Sequence, residues 1–242
     1  MDTTRKLAIA TGVCFLITHV TSVPAAFLYD SILNRSNYVL GSGSDTQVVL
    51  GAFLELICAL GNIGTAVCLF PVVRRWSEAG ALGYVGLRTL ESAIMAAGLL
   101  PLLVVVTLRQ HLAGTAGVDT ASLAMLGNGL VEMHRWTRLL GPGLVCGVNT
   151  TVMAYLLYRS RLVPRIIPVL GLIGGPAIFA YNTARVFGAS EQDLAWAAIG
   201  VVPIFAWEVS LALRLIIKGF NVPAADVPEA TRPASKELMP AV

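Results

Sequence analysis

Five ionisable side chains, His19, Glu55, Arg88, Glu91 and Glu208, each stand inside a run of apolar residues. A carboxyl group withdrawn from water pairs with a base, binds a cation or keeps its proton, which is the chemistry of proton relays and of general acids and bases. Arg88 and Glu91 are three residues apart, so on a helix they share a face and can pair directly. Arg88 can hold one or two of the three acids ionised, and a carboxyl left without a base then carries the remaining proton. The bland alternative is that these charges only fix how the helices dock.

A second set follows at 132–138. Glu132, Arg135 and Arg138 recur at three-residue spacing and so place one acid and two bases on a single stripe, with His134 beside them as a solvated interfacial histidine. Asn182 and Arg185, with Tyr181, lie near the end of a later apolar run and complete the same rim. Arg214 sits close to the end of its run and can snorkel to water, so it is set aside. Cys14, Cys58, Cys68 and Cys146 form no C-x-x-C pair and have no histidine at zinc spacing, and they read as buried thiols. No H-E-x-x-H is present, so neither a metal nor a cofactor is expected.

The elements that must position these groups are set by composition. Of 242 residues 56% are apolar and 13% charged, about half the ~25% of soluble domains, and the mean hydropathy is +0.74. These values exclude a disordered chain, a soluble enzyme and a nucleic-acid-binding domain. Spans need roughly 20 apolar residues, and six runs qualify: 7–28, 48–73, 82–108, 139–157, 166–186 and 194–217. The first continues to Tyr29 and reads as a span instead of a cleaved leader. The segment 119–138, interrupted by Gly127-Asn128-Gly129, reads as a short extra helix, a re-entrant piece or the first turns of a broken fourth helix. The expected fold is therefore all-α, a six-span transmembrane bundle. Residues 1–220 form its helical domain, and 221–242 form a disordered cytoplasmic tail rich in Pro and Ala.

Orientation follows from the basic residues. With the N-terminus cytoplasmic, the inner side receives Arg5, Lys6, Arg74, Arg75, Arg159, Arg161, Arg165, Lys218, Arg232 and Lys236, while the outer loops hold Arg35, Arg109 and Arg185. That asymmetry places both termini in the cytoplasm. Trp76, Trp136 and Trp196 near span ends read as interfacial anchors, whereas Trp207 is deeper beside Glu208.

Several motifs carry a likeness. "LGYVGLRTLESAI" around Arg88 and Glu91, "YLLYRSRLVPR" at 155–165 and the closing "E…LIIKGFN" from Glu208 to Asn221 resemble a bacterial family of small multi-pass membrane proteins. That family is catalogued as domain of unknown function 4386. "ELICAL" at 55–60 and "FPVVRR" at 70–75 are similar to its second span. The likeness covers nearly the whole chain except the tail. It implies a helical protein of the bacterial cytoplasmic membrane with Glu55, Arg88, Glu91 and Glu208 at family-typical positions. It brings no activity, substrate or cofactor. "EMHRWTRLLG" resembles the family's start of span four, where an arginine beside an aromatic is usual and His134 is less typical.

Three functions stay open. A buried Glu/Arg cavity serves small-solute or proton-coupled binding and transport, with rim arginines attracting an anionic or lipidic ligand. An intramembrane enzyme would use the glutamates for acid/base work on a lipid or isoprenoid. A structural or regulatory subunit would use the charges as helix glue. Besides the lipid bilayer, a homo-oligomer is a fitting partner, since six spans are few for a self-contained transporter.

Overall fold

Three of the long helices start at a polar residue whose side chain closes the first turn. In the computed structural model, which describes residues 2–34, 38–41, 43–189 and 194–221, Ser44 accepts from Gln47 N–H at 3.4 Å and Ser77 from Gly80 N–H at 3.1 Å. Asp119 accepts from the amides of Ala121 and Ser122. The Ser122 hydroxyl, followed by those two amides, holds the Asp119 carboxyl below its usual range. The helices are α1 (Thr3–Leu28), α2 (Asp30–Leu33), α3 (Asp45–Val73), α4 (Glu78–Leu112), α5 (Thr120–Arg138), α6 (Cys146–Ser160), α7 (Ile166–Val186) and α8 (Leu194–Ile217), and the described residues contain no strand. Capping explains why α3 and α4 begin upstream of their apolar runs.

Between α5 and α6 the chain winds through a π-helical stretch, Leu139–Val145, without leaving the helix axis. Pro142 lies inside it, and a proline both lacks an N–H and crowds the preceding turn. The wider π turn accommodates that defect, a device common at functional sites. Residues 120–160 are thus one long interrupted span. The short extra helix or re-entrant piece expected before span four is not borne out: 120–138 run on into the same long helix. Gly127 supports this packing, because a Cβ there would lie 2.9 Å from a Val39 methyl.

Among the described residues six helices are long and apolar enough to cross a bilayer, matching the six runs read from sequence. The chain is a multi-pass membrane protein. Arg5 donates to the carbonyls of Leu215 (2.9 Å) and Ile216 (2.6 Å), so the start of the first span and the end of the last lie together on one face. We call this the terminal face. At Gly12 a Cβ would stand 2.7 Å from the Ala212 carbonyl, which is how α1 and α8 approach so closely there. Asn221 closes the same face, its N–H donating to Leu162 O at 2.7 Å. The tail expected beyond it lies outside the described residues.

Two apolar cores fill the ends of the bundle. Phe15, Leu69, Leu157, Trp207, Leu211 and Leu215 pack the terminal half. Tyr29, Ile32, Val39, Leu102, Val105 and Leu123 pack the opposite end, where α2 and the turn at 38–40 lie against α4 and α5. A polar layer separates them.

Candidate functional site

Arg88 occupies the centre of that layer at 2% exposure. Its Nη1 donates to Glu91 Oε2 at 2.9 Å, one turn along α4, and its Nη2 donates to Glu208 Oε1 of α8 at 2.9 Å. Asn149 of α6 adds a second donor to Glu91 Oε2 at 2.5 Å. The Phe15 ring of α1 lies 5.8 Å from the guanidinium carbon. Four spans therefore meet at one arginine, and Glu91 and Glu208 are as buried as their partner requires (3% and 9% exposed).

His19 of α1 completes the group. Its Nε2 lies 3.5 Å from Glu208 Oε2, and its Nδ1 lies 3.0 Å from the Phe15 carbonyl oxygen. A carbonyl only accepts, so this contact assigns the hydrogen to Nδ1. Nε2 and Oε2 then face each other with lone pairs unless a proton lies between them. Either imidazolium with carboxylate or imidazole with carboxylic acid satisfies the contact.

Glu55 of α3 sits in the same cavity but serves other partners. The Tyr29 hydroxyl donates to its Oε2 at 2.8 Å and Arg138 Nη1 approaches Oε1 at 3.5 Å. The cavity has a volume of about 250 Å³ and is walled by all five residues singled out first, His19, Glu55, Arg88, Glu91 and Glu208. An outer cavity of about 370 Å³ shares the walls Arg138, Pro142, Ile178 and Val201 with it and continues toward the face away from the termini. The π-helical stretch forms part of both, through Pro142. Gly143 keeps the outer one open against Asn182, whose side chain a Cβ would meet at 2.9 Å.

The rim residues divide. Arg135, Arg138, Asn182 and Arg185, with Tyr181, line the outer cavity. Arg135 also donates to the Leu33 carbonyl and pairs with Glu132 at 3.5 Å, both side chains well exposed. Glu132 faces an adjoining recess with Arg185. His134 is not at the rim. It is 1% exposed, its Nδ1 lies 2.7 Å from the Gly98 carbonyl of α4, and its ring meets Tyr29 edge-on at 5.5 Å. One residue of rotation about the helix turns it inward while Arg135 points out. Arg214 lies apart from the cavity and donates to Asn221 at 2.6 Å.

Two residues of the site escaped the reading of the sequence. Asn149 was the polar break in the run 139–157, a signal available but quiet. Tyr29, at the end of the first run, was given no role and is fully buried on Glu55. The four cysteines are free, with Cys58 buried and the other three partly exposed instead of buried. No group of three His, Cys, Asp or Glu side chains among the described residues is placed to hold a metal.

Comparison with known proteins adds one relation. No curated protein and no solved structure matches the chain. Residues 10–219, which include all five residues around the cavity, match the family model described as Domain of unknown function (DUF4386). The chain belongs to that family.

Proposed function

We propose that the protein is a proton-coupled binding and transport module for an anionic solute in a bacterial cytoplasmic membrane, with both termini on the cytoplasmic side. The carrying observation is the composition of the cavity floor, where one guanidinium faces two carboxylates and a histidine. Arg88, Glu91 and Glu208 together leave one negative charge, and a proton shared by His19 and Glu208 brings the group to neutrality. An unbalanced charge in a low-dielectric interior is costly, so the protonated group is the resting state. Glu55 and Arg138 balance each other one layer further out.

Coupling follows from reciprocity. An anion entering past Arg135 and Arg138 raises the cost of losing the proton, and the proton in turn favours the anion. Ionisable groups near mid-membrane facing a cavity are the usual marks of such a pathway. The bias of basic residues toward the terminal face supports the orientation. Acid/base enzymology has less support, because Glu91 and Glu208 share Arg88 while Glu55 is held by Tyr29 and Arg138.

The test is transport in vesicles that contain a trapped pH-sensitive dye and carry an imposed proton gradient. Inorganic phosphate, succinate and a medium-chain fatty carboxylate serve as probes. The wild type should speed loss of the gradient with at least one probe, relative to protein-free vesicles, and Glu208→Gln should not. No acceleration with any probe, or equal acceleration by Glu208→Gln, overturns the coupling.

A further inference from the structure

The first and last spans do not stay together along their whole length. At the terminal end they touch through Gly12 and Ala212, and at mid-height through the rings of His19 and Phe205, 4.9 Å apart. Beyond that level the cavity itself lies between them. Val23 of α1 and Val201 and Phe205 of α8 wall the cavity and are 48%, 51% and 50% exposed on the flank of the bundle. A cavity walled by outward-facing apolar side chains opens sideways, into the hydrocarbon of the surrounding leaflet.

The upper end of this gap has the opposite character. Arg135 and Arg138 stand over it, together with Tyr181 and Asn182. Arg138 spends one donor on a 3.5 Å contact with Glu55, and its side chain is 41% exposed. A guanidinium has five N–H donors in a fork suited to phosphate, so capacity remains. Trp136, half exposed beside Arg135, marks this height as that of the lipid headgroups. One gap therefore presents two arginines at headgroup level and an apolar lateral slot immediately beneath.

We propose that the occupant of the α1–α8 gap is an anionic phospholipid drawn sideways from the leaflet, its phosphate on Arg135 and Arg138 and an acyl chain between Val23 and Val201/Phe205. This deepens the reading of the cavity as an anion site and names the class of its ligand. The phosphate takes up the donors that Arg135 and Arg138 keep beyond their 3.5 Å contacts with Glu132 and Glu55, and the chain covers the apolar flank that no described helix covers. A free phosphate satisfies the arginines alone and leaves that flank bare.

Electron spin resonance of spin-labelled lipids in membranes holding the full-length protein tests this without any proton gradient. A failure of coupling therefore leaves its outcome unaffected. Labelled phosphatidic acid should be immobilised about thirtyfold more strongly than labelled phosphatidylcholine, as expected when each of the two arginines contributes about 1 kcal/mol at the membrane surface. Arg135→Gln should lower that preference several-fold. Val23→Trp, at a half-exposed position on the flank, should displace the chain and lower immobilisation likewise. Excess inorganic phosphate should leave the bound lipid in place. Equal immobilisation of the two lipids overturns the proposal. So does displacement by inorganic phosphate together with an unaffected Val23→Trp, which would assign the arginines to a soluble anion.

Discussion

Two arginines of this protein each hold a carboxylate at 2.9 Å, and they do so in opposite settings. Arg109, at the end of α4, meets Asp45 at the start of α3, with side chains 19% and 27% exposed. Its partner also accepts from the Tyr38 hydroxyl at 2.8 Å and from Gln110 at 3.2 Å, and the guanidinium lies over the Tyr38 ring at 4.7 Å. That site has one acid and one base, reaches water, and clamps the loop after α2 onto the bundle. Arg88 has two acids, no water-exposed side, and a histidine on the far carboxylate. The pair at the surface is complete in itself. The buried one sets two carboxylates against one guanidinium, and this imbalance separates a candidate functional group from a structural clamp.

Breaking each site should expose that difference, with the largest effect at Arg88. Arg88→Ala strands two buried carboxylates and should destabilise the protein by about 3–5 kcal/mol in denaturant titrations of detergent-solubilised protein. Arg88→Lys should restore only part, since an ammonium lacks the fork that serves Glu91 and Glu208 together. Unaltered stability in Arg88→Ala would place the arginine in water and dissolve the contrast. Asn149→Ala removes one of two donors to Glu91 Oε2 and should cost roughly 1.5–3 kcal/mol, the range for hydrogen bonds to charged groups. A cost near zero would mean that Arg88 alone satisfies Glu91.

The surface clamp should respond weakly. Arg109→Ala is expected to cost no more than about 1 kcal/mol, and less at high salt, because solvent screens the pair. A loss as large as that at Arg88 would make the two sites equivalent. The smallest effect is alkaline. Burial, then the hydrogen bond to Asp45, pushes the Tyr38 phenol up to about 12. The folded state therefore favours the neutral phenol. Its contribution is fully present below the ordinary tyrosine value of ~10 and is lost as pH rises from there through about 12. Ultraviolet titration of wild type against Tyr38→Phe should show this residue ionising after ordinary exposed tyrosines. Ionisation at the ordinary value would show that the loop does not pack on Asp45.

The sequence made the buried site legible to the extent that charge in an apolar run is conspicuous. Arg88 and Glu91 announced both their depth and their shared face through three-residue spacing, and Glu208 and His19 announced depth alone. Their convergence depends on how four spans dock, which no periodicity encodes. Asn149 carries no charge and was overlooked, although its amide makes one of the shortest contacts in the layer. His134 misled because its neighbours Arg135 and Trp136 belong to the interface, while its own ring turns inward to the Gly98 carbonyl. The glycines at 127 and 129 read as breaks in a helix. Packing on Val39 makes Gly127 instead a point of close approach, so the fourth span runs on through it.

The central claim is the proton shared by His19 and Glu208, and infrared difference spectroscopy of the lipid-embedded protein reads it directly. Spectra of the wild type should contain one coupled imidazole–carboxyl signal. The account predicts that this signal disappears in both Glu208→Gln and His19→Gln and persists in Asp45→Asn. A signal unchanged by Glu208→Gln, or wild-type spectra with Glu208 ionised and His19 neutral, would contradict it.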